Sequence, residues 1–205
     1  MLQLNILQKL RWLSVGAATI ALAACDPSVG PTSQNALDSS VEKIDNTLLG
    51  AWYGELGGVE AYVHVVDSTN ADTALRTLFI GQPDRTGHSK SWGKALATPA
   101  KIGTDGYLSI RVNELEGQAA SDQDYVIVRY RVRDHRHVSL YAMDPDRVAD
   151  AIRLGQITGS SRDRIIAGPD ELVRFIQAAE GQDLFSVQIG YLERVSEDAM
   201  PRVTP

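Results

Sequence analysis

Three groups of side chains in this chain have types and spacings that could do chemistry. His135 and His137 stand two positions apart. In an extended strand residues i and i+2 share a face, so both imidazoles could meet one ion, with Asp134 or a distant acid completing the shell. A polar connection between strands collects such residues for other reasons, and no third ligand is identifiable. No metal site is assigned, and no cofactor is expected. Arg129, Arg131 and Arg133, followed by Arg136, make a cationic stripe with neighbours about 7 Å apart along a strand. It suits a phosphate, a carboxylate or an acidic partner. The competing reading is an outward face paired across strands with acids such as Glu114 and Glu116. The third group is acid–base in type. His64, facing with Tyr62 and Val66, reads as a satisfied interior histidine, and His88 as a solvated loop residue. Asp144 and Asp146 are spaced like a carboxylate pair, yet helix capping accounts for both. Ser91, Ser109 and Ser139 lack the Gly-x-Ser-x-Gly elbow of an activated nucleophile. No catalytic residue is assigned.

The elements that must position these groups are mostly strands. Residues 125–133 give the clearest pattern. Val126, Val128, Tyr130 and Val132 fall on one side and the arginines on the other, with Tyr125 and Ile127, so the arginine face is wet only toward its C-terminal end. Further strands are expected at residues 61–66, 75–81, 92–102, 107–112, 138–143 and 187–195. The segment 133–136 makes a short polar connection, and Gly57-Gly58 a hairpin turn. Pro83-Asp84-Arg85-Thr86-Gly87 also reads as a turn, without the lysine or the helix of a phosphate loop. Two helices interrupt the strands. Asp144 caps the first, Pro145 takes its first position and Gly155 stops it. The second starts at Gly168-Pro169 and ends near Gly181, with an acidic first turn that suits the helix dipole. The expected fold is mainly β with two helices, either barrel-like or an antiparallel α+β sheet.

The N-terminus carries a different kind of information. Lys9 and Arg11 precede a short apolar stretch at residues 12–24, and small residues then lead into Cys25, the one cysteine of the chain. About thirteen residues are too few for a spanning helix, which wants roughly 20. Removing Lys9 and Arg11 from the 20 basic residues leaves 18 against 26 acidic, a net charge near −8. That balance argues against nucleic-acid binding and against adsorption of the domain onto anionic lipid. Residues 26–47 are rich in Ser, Asp, Asn, Pro and Thr and read as a flexible tether able to span about 70 Å when extended. One helical turn is allowed at residues 41–44. Residues 48–195 form one domain, and 196–205 a polar tail.

Leu22-Ala23-Ala24-Cys25 resembles the lipobox of bacterial lipoproteins. The resemblance implies cleavage after residue 24, diacylglyceryl attachment to Cys25, and membrane attachment through acyl chains. It also implies a mature chain without a free thiol. Asp26, directly after the modified cysteine, resembles an enterobacterial inner-membrane retention signal, which implies the periplasmic face of the inner membrane. Leu49-Gly50-Ala51-Trp52 resembles the opening Gly-x-Trp of lipocalin-like barrels, in which the tryptophan packs across the barrel floor. The wider pattern resembles a group of bacterial envelope proteins without assigned function. It comprises Leu49-Gly50-x-Trp52, Tyr107-Leu108-Ser109-Ile110-Arg111, Val128-Arg129-Tyr130-Arg131-Val132, Met143-Asp144, Ala151-Ile152-Arg153 with Gly155-Gln156-Ile157 and Gly159, and Asp183-Leu184-Phe185. The leading expectation is a lipid-anchored binding or interaction domain for a small apolar ligand or an envelope protein. An enzyme using His64 or the His135/His137 pair is the second, and a structural or assembly accessory the third. An open apolar lumen, converging ionisable groups, and an exposed apolar patch would respectively separate them.

Overall fold

In the computed structural model the chain is described over residues 30–37, 46–67, 76–83, 89–111, 124–179 and 183–196. Ten strands and two helices run in the order β1 (Thr32–Ser33), β2 (Gly50–Leu56), β3 (Val59–Asp67), β4 (Arg76–Pro83), β5 (Ser89–Ile102), β6 (Asp105–Arg111), β7 (Tyr125–Arg133), β8 (His137–Ala142), α1 (Pro145–Arg153), β9 (Arg164–Ile165), α2 (Pro169–Ala178) and β10 (Val187–Val195). Strands β2 to β8 form an antiparallel meander, and β10 returns to lie between β8 and β2. Pairing of β6 with β7 closes the wall, giving an eight-stranded antiparallel barrel with two helices outside it. The barrel expectation holds, and the open α+β sheet is excluded.

Alternation within each strand produces two cores rather than one. Inward residues such as Trp52, Val63, Leu78, Leu108, Val128 and Leu192 fill the lumen. Outward residues of β5, β6 and β7, among them Ala100, Tyr107 and Ile127, form a second core with Val148 of α1 and Leu172 of α2. The helices start where local chemistry starts them. The Asp144 carboxylate accepts from the N–H groups of Asp146 at 2.9 Å and Arg147 at 3.1 Å. Gly155 takes the left-handed conformation just past the end of α1, with φ 68°. Gly57 and Gly58, with φ 61° and 80°, make the tight turn between β2 and β3.

Residues 30–37 depart from the tether reading of residues 25–47. Thr32 and Ser33 pair with Val126 and Tyr125, taking two of the three positions of the β7 edge that β8 leaves uncovered, and pair in parallel with β9 on the other side. Leu37 is buried in the outer core, and its N–H donates to the Ser109 hydroxyl at 2.9 Å. Asp124 fixes this strap. Its carboxylate accepts a two-pronged bond from Arg164 at 2.7 and 2.9 Å and a bond from Thr32 Oγ1 at 3.3 Å. The expected helical turn at residues 41–44 lies outside the described residues, as do Glu114, Glu116, His88, Cys25 and Asp26.

Candidate functional site

One end of the barrel gathers the polar side chains. Here a 3₁₀ turn, Asn46–Leu48, crosses the mouth before β2 begins. Trp52 Nε1 donates to the Leu48 carbonyl at 2.8 Å. The Arg194 guanidinium lies 4.2 Å over the Trp52 ring and donates to the carbonyls of Thr47 at 2.5 Å, Leu49 at 2.7 Å and His135 at 3.0 Å. Gly50 makes room for it: at φ 117°, a Cβ there would come within 2.8 Å of Arg194 Nη1. Arg76, almost fully buried on β4, pairs with Asp67 and donates to Asn46 Oδ1 at 3.0 Å. These contacts close the mouth and put the strand-end charges to structural use. The role of Trp52 agrees with the Gly-x-Trp expectation. Arg194 was missed. Its signal was its position among Gly190, Leu192 and Arg194, the inward register of the last strand.

Behind that closure the lumen retains one cavity of about 60 Å³, lined entirely by apolar side chains including Trp52, Leu78, Ile110, Val126 and Leu140. Pockets for drug-sized ligands measure roughly 300–1,000 Å³. The lumen is therefore filled by its own side chains. Beside the closed mouth, between the β5–β6 and β7–β8 turns, lies a cleft of about 480 Å³. Its polar lining comes from Thr47, Thr104, Asp105, Arg131, Arg133, Asp134 and His135, with Tyr130 and Val132 alongside.

The arginine stripe divides into three different residues. Arg129 is anchored, donating to the Phe185 carbonyl at 2.7 Å and lying between the rings of Tyr141 and Phe185, 5.1 and 5.4 Å from their centroids. Asp105 stands 3.6 Å away, and the buried Nε of Arg129 has no hydrogen-bond partner among the described residues. Arg131 makes a two-pronged bond to the same Asp105, at 3.2 and 3.1 Å, which raises the guanidinium pKa further. Arg133 lies exposed at the cleft without an acid paired to it among the described residues. Asp105 thus pairs with two of the three arginines, while Glu114 and Glu116 lie outside the described residues. The arginine face is covered at Ile127 and Arg129 because the helical layer packs there, and it is wet from Arg131 onward.

The histidines are not brought together. Asp134 and His135 occupy the β7–β8 turn with left-handed φ of 45° and 57°, closed by the Arg136 N–H donating to the Arg133 carbonyl at 3.0 Å. His135 is therefore in the turn, and β8 begins only at His137, so the strand geometry assumed for His135-x-His137 does not exist. His137 bonds through Nδ1 to Asp134 Oδ1 at 3.0 Å and stacks on Tyr191. That hydrogen bond holds the Asp134 carboxyl below its ordinary value. His64 is a correction. Ala61, Val63 and Val65 face the lumen, which places His64 on the outer wall, half-buried. Among the described residues no three His, Cys, Asp or Glu side chains assemble as metal ligands. No family model, curated protein or solved structure matches the chain.

Proposed function

We propose that the protein is a lipid-anchored binding domain of the cell envelope that recognises an anionic group at the cleft beside the closed mouth. Residues 1–24 act as the export signal, Cys25 carries the acyl chains, and Asp26 retains the protein at the periplasmic face of the inner membrane. The observation that carries the reading is the contrast between a lumen cavity of about 60 Å³, lined only by apolar groups, and a cleft of about 480 Å³ bearing Arg133, Arg131 and His135. A small apolar ligand would need the lumen. A phosphate or carboxylate on an envelope component would find in the cleft the Arg133 guanidinium, which has no acid paired to it among the described residues, with hydroxyls and a histidine beside the Asp105 and Asp134 carboxylates. Arg129 holds the barrel to the helical layer, so the recognition surface is narrower than the stripe and centres on Arg133.

Amide chemical shifts during titration with inorganic phosphate, and separately with octanol as the apolar probe, test this. Phosphate is expected to move resonances of residues 104–106 and 131–135, with affinity falling about tenfold in Arg133→Glu. Octanol shifting residues 52, 78 and 110 while phosphate moves none would overturn the cleft reading and restore the lumen.

A further inference from the structure

The docking of β1 fixes how far the domain can stand from its anchor. Between Cys25 and Gly30, where the described fold begins, lie four residues. At roughly 3.3–3.6 Å per residue no chain of that length spans more than about 17 Å. A domain of about 150 residues has a radius of gyration near 15 Å and is about 40 Å across. The reach of the tether is thus less than half the width of what it holds, and the domain cannot turn its far wall to the bilayer.

We infer that the flank formed by β1, β9 and the α1–β9 connection is apposed to the phospholipid headgroups; the inference rests on acylation of Cys25. The chain reaches the fold at this flank, where the Thr32 N–H donates to the Asp163 carbonyl at 2.8 Å and Arg164 holds Asp124. The neighbouring Arg162 is 84 % exposed and, among the described residues, pairs with Asp146, itself 90 % exposed, at 3.7 Å. So loose a pair competes poorly with a lipid phosphate. The outer wall of β3 lies on the opposite side of the barrel, four strands from β7 in either direction. Apposition here comes from tether length and needs no strong surface affinity, which suits a domain of net negative charge.

Acylated Cys25 leaves no other thiol, so single introduced cysteines label cleanly. The full lipidated chain, carrying a dye on Ser160→Cys beside the flank or on Glu60→Cys of β3, is reconstituted in phosphatidylethanolamine–phosphatidylglycerol vesicles with nitroxide-labelled headgroups. The dye at position 160 should be quenched at least about threefold more strongly, and insertion of a Gly/Ser linker of about twenty residues after Pro27 should bring the two dyes to parity. Equal quenching without the linker, or a difference that survives it, overturns the inference. The mass of the N-terminal peptide reports separately on the anchor: an unmodified Cys25 refutes the lipid-anchor reading itself.

Discussion

The lumen cavity and the cleft are lined by different residues, with Tyr130 of the inner core reaching only the cleft, and they use their side chains in opposite ways. In the lumen every lining group is apolar, and the remaining cavity of about 60 Å³ is well below the roughly 300–1,000 Å³ of a ligand pocket. In the cleft most side chains are polar, and Arg133 has no acid paired to it among the described residues. The difference is one of desolvation. An arginine drawn into the mouth needs its donors satisfied, and Arg194 achieves this with three carbonyls and the face of Trp52. An arginine at the rim keeps its water and can exchange it for a ligand. Cations in the closure therefore serve stability, and cations on the rim are available for recognition.

Removing the keystone of the closure gives the largest effect. Trp52→Ala takes away a nearly fully buried ring, the support of Arg194 and the bond to Leu48, and should cost about 3–5 kcal/mol in urea denaturation. A loss below about 1 kcal/mol would mean that the closure does not hold the lumen. Arg129→Ala comes next. It leaves the Phe185 carbonyl without its donor and separates two rings from their cation, for about 2 kcal/mol. Loss of hydrogen-exchange protection should concentrate at residues 183–186. If the variant instead loses phosphate binding at unchanged stability, Arg129 belongs with the rim.

Asp124→Asn weakens the strap by about 1 kcal/mol at neutral pH, a value discounted for the partial exposure of Arg164. The Arg164 hydrogen bonds hold the folded Asp124 carboxyl below its ordinary 3.8. Its contribution is therefore complete above that value and is lost as pH falls through the lower folded pKa. Wild type and variant should converge in strong acid, and a gap that persists there would show that charge is not what ties the strap. Arg133→Ala is the smallest change in stability, within about 0.5 kcal/mol, and it should leave the melting temperature in place while weakening phosphate. Equal losses of stability and binding would erase the distinction between closure and rim.

Several of these features could be read in the chain before folding. The alternation of residues 125–133 identified which side chains of β7 enter the lumen, and Asp144-Pro145 identified the start of α1, because both depend on neighbours a few positions away. The outward face of the same strand could not be assigned this way. Arg129 is covered by Phe185, 56 residues later, while Arg131, two positions on, is more than half exposed. In β3 the alternation was visible but both faces carry apolar residues, so the placement of His64 inside the barrel was reversed. The two-residue strands β1 and β9 have no period to detect. Ser33 and Leu37 sat in a polar stretch whose composition resembles a linker, and only β7 and β9 give them a place to be buried.

The sequence by itself determined the barrel strands, the caps of α1, the β2–β3 hairpin turn and the single cysteine after Leu22-Ala23-Ala24, since these are set by local sterics, periodicity and short motifs. Tertiary structure alone decided that β6 meets β7, that Arg194 closes over Trp52 and that Arg129 and Arg131 share Asp105. It also decided that residues 30–37 belong to the domain. Each of these joins groups far apart in the chain, and the energies that choose them arise only once the barrel has removed those groups from water.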